Sequence, residues 1–183
     1  MDKKEHKSKV KLYRFSPIKD KTQLMEAIKH THLSCYKLCK QSFGIYLPNA
    51  GNIGIFCHYD DEYAFLTKLR EQLTDPSDNI NQKYFRLHEP IVIPAKGGIP
   101  RATYTYLYIR APDPYRHHVG DVDFYLELEK YKALKELVAK GEVTDARVFP
   151  RQDLDMIELY DPNVDALGYV STKKMTEKVR IKT

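Results

Sequence analysis

The sequence predicts an α+β fold: a single domain over residues 1–183, built on a mixed, mostly antiparallel sheet flanked by about three helices. Three observations carry this expectation. Two-residue alternation of apolar and polar side chains recurs along the chain, as half-buried strands require. Three other stretches repeat apolar residues at helical spacing. No internal repeat, low-complexity linker or compositional break divides the 183 residues, a length that suits one core.

Val10 to Phe15 sets Val10, Leu12 and Arg14 against Lys11, Tyr13 and Phe15, which reads as a first strand broken by Ser16-Pro17. Asp20 is placed to cap a long helix running to about Gln41, because Leu24, Ile28, Thr31, Cys35, Leu38 and Cys39 recur along one stripe. Gly44 and the Pro48–Asn52 cluster mark a turn. Ile53 to Cys57 follows as a short apolar strand, and Asp60 or Asp61 caps a second helix through Leu73, with Phe65, Leu66, Leu69 and Leu73 inward. The acids there suit the positive end of a helix. Tyr84 to Ile93 is extended, although Pro90 and Pro94 confine its second half to an edge or a bend.

The centre of the chain is Thr103 to Arg110, rich in β-branched and aromatic residues. Strand geometry divides it into one face with Thr103, Thr105, Leu107 and Ile109, and another with Tyr104, Tyr106, Tyr108 and Arg110. The second face has the chemistry of a stacking platform for bases. It also has the chemistry of tyrosines packed beneath a helix with their hydroxyls at the rim. Pro112 and Pro114 stiffen the following turn, and Val119 to Leu128 resumes the alternation, which predicts a long-tipped hairpin between the two strands. Glu129 to Lys140 is a third helix with Gly141 placed to end it. Ala146 to Phe149, Met156 to Tyr160 and Leu167 to Val170 complete the strands.

Composition narrows the function classes. Hydrophobic residues make up 42% and charged residues 30% of the chain, and no run approaches the roughly 20 apolar residues of a membrane helix. The start lacks the apolar stretch of a signal peptide, so a cytoplasmic location is expected. Cys35, Cys39 and Cys57 are odd in number and lack CxxC spacing, which points to reduced thiols. The formal charge is +5, with lysines crowded into both ends, as basic N- and C-terminal extensions that would neutralise phosphates. No nucleotide-binding, GxSxG or HExxH signature is present, and no cofactor is indicated.

Three candidate groups remain. Tyr84, Arg86, Tyr104, Tyr106, Tyr108, Arg110, Tyr115 and Arg116 would line neighbouring strands as a nucleic-acid surface of rings and guanidinium groups. His117, His118, Asp121 and Asp123, joined by Glu158 if the strand order allows, would form a metal or acid–base site. His32, Cys35 and Cys39 share a helix face and, with Cys57 and His58, have zinc-ligand chemistry, against the commoner role of buried cysteine as a small hydrophobe. His118-Val119 opening a strand, a helix, then Ile157-Glu158-Leu159-Tyr160-Asp161-Pro162 resembles half of a vicinal-oxygen-chelate metalloenzyme module. The resemblance covers about a third of the chain and implies His118 and Glu158 as metal ligands. It departs from the family in leaving too few residues for three following strands and in lacking a matching first half.

The leading reading is therefore a small cytosolic nucleic-acid-associated or accessory binding protein. A metal-dependent enzyme is the second, and a protein–protein interaction module without catalysis is the third.

Overall fold

In a computed structural model, which describes residues 13–77, 83–113, 115–150 and 155–178, local chemistry sets the helix ends. Helix α1 spans Lys21–Phe43; the Asp20 side chain accepts from the Gln23 N–H at 2.8 Å, satisfying one of the donors left open at a helix start. It ends at Gly44, whose φ of 72° suits glycine and whose N–H reaches the Lys40 carbonyl. Helix α2 (Asp60–Leu73) has its acids in the first turn, but its N-cap residue is Tyr59, with no side-chain cap bond. Helix α3 covers Leu128–Ala139 and a short α4 covers Lys173–Lys178.

The strands are β1 (Asn49–Phe56), β2 (Phe85–Ile93), β3 (Ala102–Arg110), β4 (Gly120–Leu126), β5 (Ala146–Pro150), β6 (Asp155–Leu159) and β7 (Ala166–Thr172). They form one seven-stranded sheet in the order β2-β3-β1-β4-β7-β6-β5. It is mixed: β1 with β3 and β4 with β7 are parallel, whereas β1 with β4 is antiparallel. The fold is thus α+β, as expected, but parallel pairs flank its centre and a fourth helix is added. The expected hairpin of Thr103–Arg110 with Val119–Leu128 does not form. β1 is inserted between those strands, pairing Ile53 with Leu107 on one side and with Val122 on the other. The expected first strand lies largely outside the described residues, and its last part, Tyr13 to Phe15, is not in a strand.

Strand alternation sorts the two sheet faces. One face carries Ile53, Ile55, Leu107, Ile109, Val122, Phe124, Ile157 and Val170, all buried in one large cluster with residues of α1, α2 and α3. Side chains of this size contribute about 1.5–3 kcal/mol each on full burial, so this face holds the fold together. The second face carries a smaller cluster of Phe56, Met156, Leu167 and Tyr169, packed with Phe149. Its remaining residues are polar, and they form the candidate site.

Candidate nucleic-acid interface on the second sheet face

A transverse row of polar residues crosses the second face, one from each of the seven strands. Arg86 on β2 pairs with Tyr106 on β3, and Tyr106 pairs with Asn52 on β1. Asn52 Nδ2 donates to Asp123 Oδ2 on β4 at 3.0 Å. Asp123 pairs with Tyr169 on β7, Tyr169 with Glu158 on β6, and Glu158 with Arg147 on β5. Side chains continue the linkage: Tyr169 OH donates to Glu158 Oε2 at 3.1 Å, and Arg147 donates to Glu158 Oε1 through Nε and Nη2 at 2.9 and 2.6 Å. Burial of the middle of the row (Asn52 and Glu158 are each 1% exposed) makes these bonds obligatory, since an unsatisfied polar group there is costly.

Beside the row, Gly54 makes room for Asp121. A Cβ at Gly54 would stand 2.0 Å from Asp121 Oδ1 and 3.2 Å from the Tyr108 ring, so the carboxylate lies directly over this glycine. Tyr84 closes the same corner, donating its hydroxyl to Asp123 Oδ2 at 3.2 Å and facing the Tyr108 ring at 5.9 Å. Burial, reinforced by Asp123 and Asp121, pushes the Tyr84 phenol well up, so it stays protonated and acts as a donor. Lys83 Nζ stands over both the Tyr108 and Tyr84 rings, at 4.6 and 5.2 Å. Burial, with Asp121 and Glu158 nearby, raises the Tyr169 phenol in the same way.

The end of β3 and the loop after it bring two more cations to this face. Arg116 Nη1 reaches the Tyr169 hydroxyl at 3.4 Å. Arg110 bonds Asp113 at 2.7 Å and lies over the Phe56 ring at 4.7 Å. Six of the eight expected nucleic-acid residues therefore gather here: Tyr84, Arg86, Tyr106, Tyr108, Arg110 and Arg116. Tyr115 stands apart on the loop, 94% exposed. Tyr104 is a correction. Its ring is fully buried in the helix-side core and its hydroxyl bonds His32 Nδ1 on α1 at 2.7 Å. The β2–β3 pairing shifts register between Arg86 and Ile91, and Tyr104 lies beyond that shift from Tyr106 and Tyr108, so unbroken alternation misplaces it.

Asp121, Asp123 and Glu158 occupy the same face, whereas His117 and His118 remain in the loop at its end, with their rings stacked at 4.6 Å. The five do not close into a ligand set; among the described residues no three His, Cys, Asp or Glu side chains are grouped to hold a metal ion. Glu158 has both oxygens committed to Arg147 and Tyr169, which removes the His118–Glu158 pair implied by the vicinal-oxygen-chelate resemblance. The zinc arrangement fails for a related reason. Cys35, Cys39 and Cys57 are buried and separately engaged or packed, with Cys35 Sγ donating to the Leu167 carbonyl. Burial pushes the Cys39 thiol up to about 11, far from the thiolate that binds metal. Asn52, Gly54, Arg147 and Tyr169 are site residues that sequence reasoning misses. Only Asn52 and Gly54 leave a signal, the alternation of Asn52, Gly54 and Phe56 with Ile53 and Ile55.

Buried His32 and half-buried His118 give the fold a pH dependence. Burial lowers His32 to about 4, and burial with His117 and Arg116 nearby lowers His118 to about 4, from the ordinary 6.5. The folded state therefore favours the neutral rings and the unfolded chain takes up protons first. Stability is complete above pH 6.5 and falls as pH drops from 6.5 through 4. Thermal melts across that window should show this fall, with a shallower slope in His118→Asn; a flat profile would contradict the placement of both rings.

No family model matches the chain, and no curated protein matches it. A solved structure, "Structural Genomics, Protein EC4020", is similar with a TM-score of 0.56 at 15% identity, covering 86% of this chain and 90% of that one. At that identity the likeness concerns the fold alone. Among the described residues no helix is long and apolar enough to cross a membrane.

Proposed function

We propose that this chain is a small cytosolic accessory protein that binds single-stranded nucleic acid on the second sheet face. The observation that carries the reading is the convergence of rings, guanidinium groups and carboxylates on that face. Tyr106 and Tyr108 supply aromatic surface on β3 and Arg86 stands directly opposite Tyr106 on the edge strand β2. Bases stack on such rings regardless of sequence, and arginines beside them neutralise phosphates. Asp123 and Asp121 add acceptors of the kind that read exocyclic amino groups on base edges. Lys173, Lys174 and Lys178 in α4 extend the basic inventory; the N-terminal lysines, Arg180 and Lys182 lie outside the described residues.

The test is fluorescence anisotropy with single-stranded RNA and DNA oligonucleotides over a salt series. Affinity should fall linearly on a log–log plot with salt. Arg86→Glu should flatten that slope by about one charge, and Tyr106→Ala should weaken binding by roughly 1–3 kcal/mol, the usual worth of one stacked base. Arg86 is exposed, so its reversal leaves the fold intact. Unchanged binding in both variants would remove this surface, and co-purification of a protein partner without nucleic-acid affinity would move the reading to an interaction module.

A further inference from the structure

A cavity of about 330 Å³ lies at one end of the sheet, lined by Tyr13, Arg14, His117, Asn163 and Asp165 among others. We infer that it is a binding site for a phosphate monoester. Its volume is at the small end of ligand pockets, suited to a phosphate carrying a sugar rather than to a large organic ligand.

The lining is pre-arranged for an anion. Arg14 Nε donates to Asp165 Oδ2 at 2.6 Å, and His30 Nε2 bonds the other oxygen, Oδ1, at 2.6 Å. Both carboxylate oxygens are thus engaged by cationic or donor groups. Burial works to raise the Asp165 carboxyl, but the hydrogen bonds from Arg14 and His30 prevail and hold it below its ordinary value. The aspartate therefore stays ionised and holds Arg14 in place by its Nε. With Nε engaged by Asp165, the guanidinium keeps its terminal Nη groups, whose fork geometry matches two phosphate oxygens. Tyr13 is fixed as a flat wall by stacking on His58 at 3.8 Å, with the planes 13° apart. His117, braced against His118, also lines the cavity. The Asp165 carbonyl accepts the Val119 N–H at 2.6 Å, tying this turn to the loop that carries His117.

Consecutive residues connect the cavity to the second face: Arg116 reaches Tyr169 there while His117 lines the cavity. On the nucleic-acid reading, which this part of the inference rests on, a strand crossing the face ends with its terminal phosphate in the cavity. A free phosphate ester would use the same contacts.

Two measurements separate these sources. Inorganic phosphate, titrated into labelled full-length protein, should shift the ring resonances of His117 and Tyr13, with the shift lost in Arg14→Gln and reduced in His117→Asn. Terminally phosphorylated oligonucleotides should bind about tenfold tighter than their hydroxyl counterparts, a difference near 1.4 kcal/mol, and Arg14→Gln should erase that gap. Phosphate shifts without any oligonucleotide binding would support the cavity as a site for free phosphate esters and remove the reading of the face. Oligonucleotides that bind regardless of terminal phosphate, with no phosphate shift at His117, would overturn the cavity inference and leave the face intact.

Discussion

Gly120→Ala should destabilise this protein by at least about 3 kcal/mol, at or above the usual range for forcing extra volume into a packed interior. A Cβ at this position would stand 2.1 Å from the Gly54 carbonyl oxygen and 3.0 Å from Thr31 Oγ1. The first of these is backbone and cannot rotate away. Nor can the strand retreat, since Gly120 is paired with Ile55 on β1 and with Ala166 on β7. Relief requires β1 and β4 to separate at the centre of the sheet, under α1. For a chain of this length, such a loss lowers the melting temperature by roughly 6–12 °C, at about 2–4 °C per kcal/mol. Gly54→Ala is the informative comparison. Its Cβ would meet a side-chain oxygen, Asp121 Oδ1, at 2.0 Å, and a carboxylate can swing aside. Gly54→Ala should therefore melt closer to the parent than Gly120→Ala while displacing Asp121 and weakening oligonucleotide binding. Equal melting of parent and Gly120→Ala would mean that β1 and β4 do not approach as closely as described.

The legibility of this molecule divides along the same line as its two faces. Helix α1 can be read almost to the residue because Asp20 and Gly44 are chemically suited to its ends and a single apolar stripe runs between them. The helix side of each strand is legible too, because Ile53, Leu107, Val122 and Phe124 announce burial by their own character. The second face is not. Its polar residues look like ordinary solvated positions until the strand order is known, and sequence proximity suggests the wrong order. Thr103–Arg110 and Val119–Leu128 look like hairpin partners, whereas β1 separates them. Asp123, Tyr169 and Glu158 are far apart in sequence and become neighbours only through β7. Tyr104 marks the limit of alternation itself: Tyr104 and Leu107, three residues apart, are both buried in the core, so the phase changes within β3. Six of the expected nucleic-acid residues and, of the expected metal residues, Asp121, Asp123 and Glu158 share one surface for the same reason.

The end of that polar row yields the second large effect. Arg147→Ala should destabilise the fold by about 2–3 kcal/mol, somewhat below the roughly 3–5 kcal/mol that breaking a fully buried ion pair costs. Glu158 is 1% exposed and receives two bonds from Arg147 on a single oxygen. Without them its carboxylate keeps, among the described residues, the hydrogen bond from the Tyr169 hydroxyl, in a buried position. Arg147 itself is 55% exposed, so part of its charge is already solvated, which sets the estimate below the full range. The variant also loses the contact of the guanidinium with the Tyr160 ring, 4.7 Å from its centroid. The penalty arises from the stranded charge, so neutralising the charge should relieve it: Arg147→Ala with Glu158→Gln should be more stable than Arg147→Ala alone, an interaction measurable as a double-mutant cycle by chemical denaturation. An exposed surface pair would behave differently, costing under about 1 kcal/mol and gaining nothing from the second change. That second pattern would show that Glu158 is hydrated, and with it that the row across the second face is a solvated surface instead of a fixed network able to present Asp123 and Tyr106 to a ligand.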